Sequence, residues 1–116
     1  MADPFVQNAA DKEQLNSAKT KEKFLRKREL SDFRSILETN EGRRIFWRIL
    51  ERCRVFESVW DPSAKIHYLS GQQDLGHWIL AEILSSNKAA FFKMIEENKK
   101  EEQGKDQAED TKEEER

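Results

Sequence analysis

The chain has 116 residues, which is enough for one domain, and a formal net charge of −2 at pH 7. The apolar run at Trp78, WILA, is far too short to cross a membrane, and the N-terminus lacks the apolar core of a signal peptide. The single cysteine excludes an internal disulfide. We therefore expect a protein without a membrane association, made in a reducing intracellular compartment.

Apolar residues are concentrated in the middle of the chain. From Leu30 to Ile95, 31 of 66 residues are apolar, against 11 of the other 50. This distribution predicts a disordered N-terminus (1–16), a basic helical extension (17–31), a helical core domain (32–98) and an acidic tail (99–116) that is disordered in isolation. Because so small a core is marginally stable, oligomerisation is an expected source of further stability.

The charges are also unevenly distributed along the chain. Between Ser17 and Arg54 there are 12 Lys and Arg against 6 Asp and Glu, whereas from Glu96 to Arg116 there are 5 against 10. The N-terminal half is therefore basic and the tail acidic, so that each is a potential partner for the other.

Two helices separated by a short break are predicted from Ser17 to Cys53. The first ends near Glu38 and carries its apolar stripe at Leu30, Phe33 and Leu37. Thr39 has the side chain of a good N-cap for the second helix. The second helix shows a wide apolar face on which Cys53 is expected to be a buried free thiol: Ile45, Phe46, Ile49, Leu50 and Cys53.

A long connection and two further helices complete the predicted all-α, four-helix domain. The apolar connection, 54–70, is broken at Asp61-Pro62 and is expected to pack over the core, with a partner-facing surface as the alternative. A short strand or a helical turn is expected near 65–69. Ser70 is predicted to cap a third helix ending near Ser85, and Asn87 a fourth from Lys88 to about Lys100. Gly104 is predicted to break helicity in the tail.

Eight residues are candidates for partner binding. Arg44, Arg48 and Arg52 recur every four residues and so share one helix face. This face either contacts an acidic protein surface or nucleic-acid phosphates, or is a solvated face balanced by the chain's own acids. Three aromatic residues near the Asp61-Pro62 turn either form a binding surface or fold onto the core. The full candidate set is Arg43, Arg44, Arg48, Arg52, Arg54, Phe56, Trp60 and Tyr68.

The sequence contains no pattern typical of an active site. It has no glycine-rich phosphate loop, metal-ligand spacing or nucleophile elbow. His67 and His77 are expected to be ordinary surface or partly buried histidines. Asp61, Asp74 and Glu82 have no partner at convincing spacing. We therefore expect a protein that is not an enzyme and that binds no cofactor or metal.

Two segments within about 32–97 carry a series of recognisable motifs: DFRSILETNEGRRIFWRILERCRVFES and SGQQDLGHWILAEILSSNKAAFFKMIEE. They resemble a small family of tailed-bacteriophage proteins named after a Bordetella phage reading frame. The matching elements are Asp32–Arg34, Glu41–Arg44, Trp47-Arg48, Glu51–Cys53, Gly76, Trp78, Leu80–Glu82 and Phe91–Met94. The chain departs from the family pattern at Asn40 and Lys88, where proline is frequent, and at Gln72 and Gln73, where two arginines are frequent.

The resemblance implies a virion-associated or head-assembly protein and no particular reaction. We expect a non-enzymatic protein that contacts other phage structural proteins, at the head or portal, in the host cytoplasm during assembly and then in the virion. One alternative is a small phage adaptor or inhibitor that binds a host protein. Another is a nucleic-acid-binding protein that contacts DNA through its basic helix.

Overall fold

The computed structural model describes residues 4–114, and the surroundings of side chains over 8–109. Four helices follow one another: α1 (Pro4–Leu37), α2 (Asn40–Arg52), α3 (Lys65–Ser86) and α4 (Lys88–Glu114). No strand occurs in this part of the chain. The all-α fold with four helices is therefore confirmed.

The core is built around α3, which contacts each of the other three helices. Its fully enclosed part combines residues from all four helices: Leu37, Leu50, Ile83, Ala90 and Met94. Partly buried side chains surround this cluster: Phe33, Phe46, Trp47, Val55, Ile79, Leu80 and Phe91. The core thus lies in the apolar middle of the chain. α3 contributes Ile79, Leu80 and Ile83 to it, while other apolar residues of α3 stay exposed.

Both ends of the chain extend as helices beyond this core. α1 begins at Pro4 instead of near Ser17, and α4 continues through Gly104 to Glu114 instead of ending near Lys100. Their sequences are rich in strong helix formers, and one exposed glycine costs only about 1 kcal/mol. Every side chain over 8–24 and 99–109 is exposed, so these arms bury no core of their own. The remainder of the predicted disordered ends, 1–3 and 115–116, lies outside the described residues.

The break between α1 and α2 is a capped turn. The Thr39 hydroxyl accepts a hydrogen bond from the Gly42 N–H at 2.9 Å and donates one to the Ile36 carbonyl at 2.7 Å. The predicted N-cap is confirmed. A side chain on Gly42 would place its Cβ 2.0 Å from the Ile36 carbonyl oxygen. Gly42 is therefore required because the first turn of α2 passes directly against the end of α1.

The end of α2 is held against α3 by a helix-terminating turn. Arg54 has a positive φ of 56°, and the N–H groups of Arg54 and Val55 donate to the carbonyls of Glu51 and Leu50 at 3.0 and 3.2 Å. This turn directs Val55 onto the core. Gly76 of α3 makes the approach feasible, because a Cβ there would lie 2.5 Å from both the Cys53 Cβ and the Val55 Cγ2. Cys53 is a buried free thiol, as predicted.

The third helix begins earlier than the sequence pattern indicated. α3 begins at Lys65, so Ser70 lies inside it and the predicted capping box is wrong. The Asp61 carboxylate instead closes a tight turn by accepting hydrogen bonds from the Ser63 N–H at 2.9 Å and hydroxyl at 2.5 Å. These bonds lower the pKa of Asp61. Of the two alternatives for 65–69, the helical turn is confirmed and the strand is wrong.

The start of α4 agrees with the prediction. The Asn87 side-chain oxygen accepts a hydrogen bond from the Ala90 N–H at 3.1 Å, which satisfies one of the free amide groups of the first turn. α3 and α4 are therefore joined through a single residue, and this short connection brings Ala90 and Met94 into the core beside Ile83.

Candidate partner-binding surface on α2

The apolar side of α2 faces a different direction from the one that its sequence predicts. Phe46, Leu50 and Cys53 pack inward as expected, together with Trp47. Ile45 and Ile49 stay outside, at 58% and 36% exposure. Trp47 is drawn inward because its ring stacks on Phe56 at a centroid distance of 5.4 Å. The predicted apolar face is therefore correct for three of its five residues.

The exposed arginines share the outward side of α2 with these two isoleucines. Arg44, Arg48 and Arg52 are all exposed. The Arg44 guanidinium lies 3.9 Å from the Glu41 carboxylate, while Arg48 and Arg52 make no ion pair with any residue over 8–109. We call the set Arg44, Ile45, Arg48, Ile49 and Arg52 the outer face of α2. It presents both uncompensated positive charge and uncovered apolar surface.

Arg43 lies on the opposite side of α2 and is only 4% exposed. Its Nε donates to Glu97 of α4 at 3.0 Å, and a terminal nitrogen lies 2.9 Å from the same carboxylate. Its other terminal nitrogen donates to the carbonyls of Leu37 and Glu38 at 2.9 and 3.1 Å, and its remaining donor bonds the Asn40 side chain. Arg43 therefore joins the end of α1 to α2 and α4, and it is not accessible to a partner.

The acidic arm of α4 lies along one edge of the outer face of α2. A groove of about 290 Å³ separates the two helices, with Trp47 and Met94 among its lining residues. Arg44 and Arg48 line it from α2, and Glu101 and Glu102 from α4. Arg43 and Glu97 also line this groove and form the ion pair that joins its two walls. Within the described residues, neither Arg44 nor Arg48 forms an ion pair with α4. The opposite edge, formed by Ile45, Ile49 and Arg52, stays open.

The predicted aromatic candidates are dispersed. Phe56 stacks on Trp47 and lies 6.4 Å from the Phe91 ring, so it bridges α2 and α4 although half of it is exposed. Trp60 and Tyr68 are largely exposed, and within the described residues no ring contact joins either of them to Phe56. The connection is therefore packed at Val55, as predicted, and unpacked at Trp60.

Arg54 is exposed, and its backbone has a structural role. Its carbonyl accepts a hydrogen bond from the Gln73 side-chain amide of α3 at 2.8 Å, and the same amide donates to the Glu57 carbonyl at 2.7 Å. The Gln73 side-chain amide therefore holds the start of the connection between α2 and α3 against α3.

An ion pair that the sequence did not indicate links α1 to α3, with its carboxylate buried and its arginine 45% exposed. Glu82 is 6% exposed, and its two carboxylate oxygens accept hydrogen bonds from Arg26 at 2.5 and 2.8 Å. The prediction that Glu82 lacks a partner is wrong. Hydrogen bonding from Arg26 is the largest cause that lowers the pKa of Glu82. The only sequence signal for this pair is a lone carboxylate inside the apolar run WILAEIL.

The Arg26–Glu82 pair predicts loss of stability in acid. Because the pKa of Glu82 is lower in the folded protein than in the unfolded chain, the pair contributes stability above the unfolded value of about 4.3. This contribution is lost as the pH falls through the folded pKa. We expect Glu82→Gln to flatten the acid side of the unfolding free energy against pH, measured by urea denaturation. Glu29→Gln, an exposed partner of the same arginine, should leave the curve unchanged.

The remaining candidate groups for a site are the histidines and the acidic residues. His67 and His77 are both exposed. The described residues contain no group of three or more His, Cys, Asp or Glu placed to hold a metal ion. Among the helices that the structure describes, none is long and apolar enough to cross a membrane.

Comparison with known proteins gives a match to one family. Residues 33–96 match the family model described as Bbp19-like phage protein. The match spans the end of α1, all of α2 and α3, and the first third of α4. It therefore includes Gly42, Arg43 and the outer face of α2. No curated protein and no solved structure matches the chain.

Proposed function

Because the chain belongs to the Bbp19-like phage protein family, we propose that it is a non-enzymatic virion or head-assembly protein that acts through contacts with other phage structural proteins. The observation that carries this proposal is the outer face of α2. There, two arginines that form no ion pair with any residue over 8–109 alternate with two exposed isoleucines. A contact surface of this kind needs only to be held rigidly, and the buried network of Arg43 holds it.

The chemistry of this face favours a protein partner over DNA. Arginine is enriched in protein interfaces, where its guanidinium pairs with carboxylates while neighbouring apolar groups are covered. Phosphates would neutralise Arg48 and Arg52 but leave Ile45 and Ile49 in water. The carboxylates of Glu101 and Glu102 beside Arg44 would also repel a nucleic acid. An acidic protein surface that carries apolar side chains matches the whole face.

The buried charged groups support a non-catalytic role. Arg43 and Glu82 are the buried charged residues of the described chain, and both are saturated by partners within the fold. A catalytic group, in contrast, must keep hydrogen-bonding capacity free for its substrate. Both charged groups therefore contribute to the rigidity of the helices and leave recognition to the exposed surface.

The proposal is tested by mass spectrometry of purified particles and head intermediates, beside a pull-down from infected cells. We expect the protein in particles or intermediates, and we expect the triple variant Arg44→Ala, Arg48→Ala, Arg52→Ala to be depleted from them while remaining folded. The variant Lys19→Ala, Lys21→Ala, Lys23→Ala removes the same charge from the exposed part of α1 and should behave as the wild type. If the protein is found only on a host protein, the adaptor or inhibitor alternative replaces the proposal. If it is found only on DNA, with binding that weakens steeply as salt increases, the nucleic-acid-binding alternative replaces it.

A further inference from the structure

The exposed side of α3 carries an apolar stripe that no part of the described chain covers. Tyr68, Leu75 and Trp78 are 69%, 55% and 56% exposed. They follow one another along one helix face together with Gly71, whose missing side chain leaves open space: a Cβ built there meets no atom within 4 Å. We call these four residues the α3 stripe. It is separate from the outer face of α2 and contains no charged residue.

The α3 stripe has a symmetric order of residue sizes. Gly71 and Leu75 lie two positions to either side of residue 73, and Tyr68 and Trp78 lie five positions to either side of it. When two identical helices cross antiparallel about a two-fold axis, residues equally far from the centre face each other. A pairing centred at residue 73 would therefore bring Leu75 opposite Gly71, and Tyr68 opposite Trp78.

We propose that two copies of this chain pair through α3 in antiparallel orientation, with Leu75 of each copy packed into the notch at Gly71 of the other and Tyr68 packed against Trp78. Glycine allows two helices to approach closely, and the large leucine fills the space that it leaves. The two aromatic pairs close the interface at both ends, where their contact adds to the burial of apolar area. The proposal is independent of which phage protein binds the outer face of α2.

The α3 stripe points to a second copy because it is uncharged and matches itself. A charged partner would gain no ion pair from it. The outer face of α2 has the opposite property, because two copies placed face to face there would bring Arg48 and Arg52 against arginines of the same charge. Self-association through α3 therefore leaves α2 free for an acidic partner.

The area of the stripe is small for a stable dimer. From the exposed fractions and typical side-chain areas, the three large residues offer on the order of 400 Å² per copy, about half of the 800 Å² per partner in a standard stable interface. We therefore expect a dimer that dissociates on dilution, with a dissociation constant of roughly micromolar magnitude.

The first test fills the notch without harming the monomer. Gly71→Leu adds a side chain where the folded chain leaves room and replaces glycine within a helix, so the monomer should melt at a higher temperature. In sedimentation measured against concentration, the same change should weaken dimerisation by about tenfold or more, because Leu75 of the second copy loses its site. Gly104→Leu is the matched control, since Gly104 is also helical and open, and it should dimerise as the wild type does.

The second test reports the register. In a Cys53→Ser background, a mixture of Tyr68→Cys and Trp78→Cys chains should form a covalent dimer under mild oxidation, whereas each variant alone should form far less. The proposal is overturned by a wild-type chain that stays monomeric up to about 100 μM. Unchanged dimerisation of Gly71→Leu, or cross-linking of Tyr68→Cys alone equal to that of the mixture, would also overturn it.

Discussion

Replacement of Gly42 by alanine is expected to lower the free energy of unfolding by about 3 kcal/mol or more, a large part of the 5–15 kcal/mol typical of a domain. The new methyl group would lie 2.0 Å from the Ile36 carbonyl oxygen and 2.8 Å from its carbon. Both are backbone atoms at the end of α1, so no side-chain rotation relieves the overlap. The turn would have to open, and the hydrogen bond from the Gly42 N–H to Thr39 would be lost with it.

Urea denaturation followed by tryptophan fluorescence and circular dichroism measures this loss. Gly104→Ala is the control, because it makes the same substitution in an exposed helical position and should stabilise the chain by up to about 1 kcal/mol. A Gly42→Ala variant as stable as the wild type would show that α2 does not pass so close to the end of α1.

Replacement of Arg43 by methionine is the second change with a large expected effect, a loss of about 2–3 kcal/mol, because a buried carbonyl left without its donor costs about 1–3 kcal/mol. Methionine keeps most of the apolar stem but removes every hydrogen-bond donor of the guanidinium. The buried Leu37 carbonyl and the Glu38 carbonyl would then lose their donor, and the Glu97 carboxylate, whose side chain is 38% exposed, would lose its ion pair. The end of α1 and the part of α4 around Glu97 should therefore lose stability together.

The neighbouring residue provides the control for this variant. Arg44→Met makes the same chemical change on the exposed side of α2 and should alter stability by less than about 0.5 kcal/mol. Adding Glu97→Gln to each variant separates the ion pair from the carbonyl contacts in a double-mutant cycle. Equal stability of Arg43→Met and Arg44→Met would contradict the buried position of Arg43.

The two results would divide the Glu-Gly-Arg-Arg segment at 41–44 into parts with different roles. Gly42 and Arg43 maintain the packing of α2 against α1 and α4, whereas Arg44 begins the outer face of α2. The Arg44, Arg48 and Arg52 triple variant can therefore weaken binding while it leaves the fold intact. This separation makes the test of the proposed function interpretable.

Local features of the sequence were sufficient to predict the helical architecture. The caps at Thr39 and Asn87, the apolar stripe of α1 and the buried thiol of Cys53 were all predicted correctly. The caps and the stripe depend on residues within one or two helical turns, so nearby side chains determine them. The burial of Cys53 also needs the close approach of α3 at Gly76. The predicted cap at Ser70 was wrong, because α3 begins at Lys65, directly after the turn that Asp61 closes.

Contacts between distant segments were decided by the tertiary structure. Arg43 and Arg44 are chemically identical neighbours, and only the positions of α1 and α4 determine that the first is buried and the second exposed. The Arg26–Glu82 pair joins residues 56 positions apart. Packing also rotated α2 towards Trp47 and left Ile45 and Ile49 outside. Helical periodicity specifies which residues share a face, but the neighbouring helices decide which face is covered, and so which residues remain available to a partner.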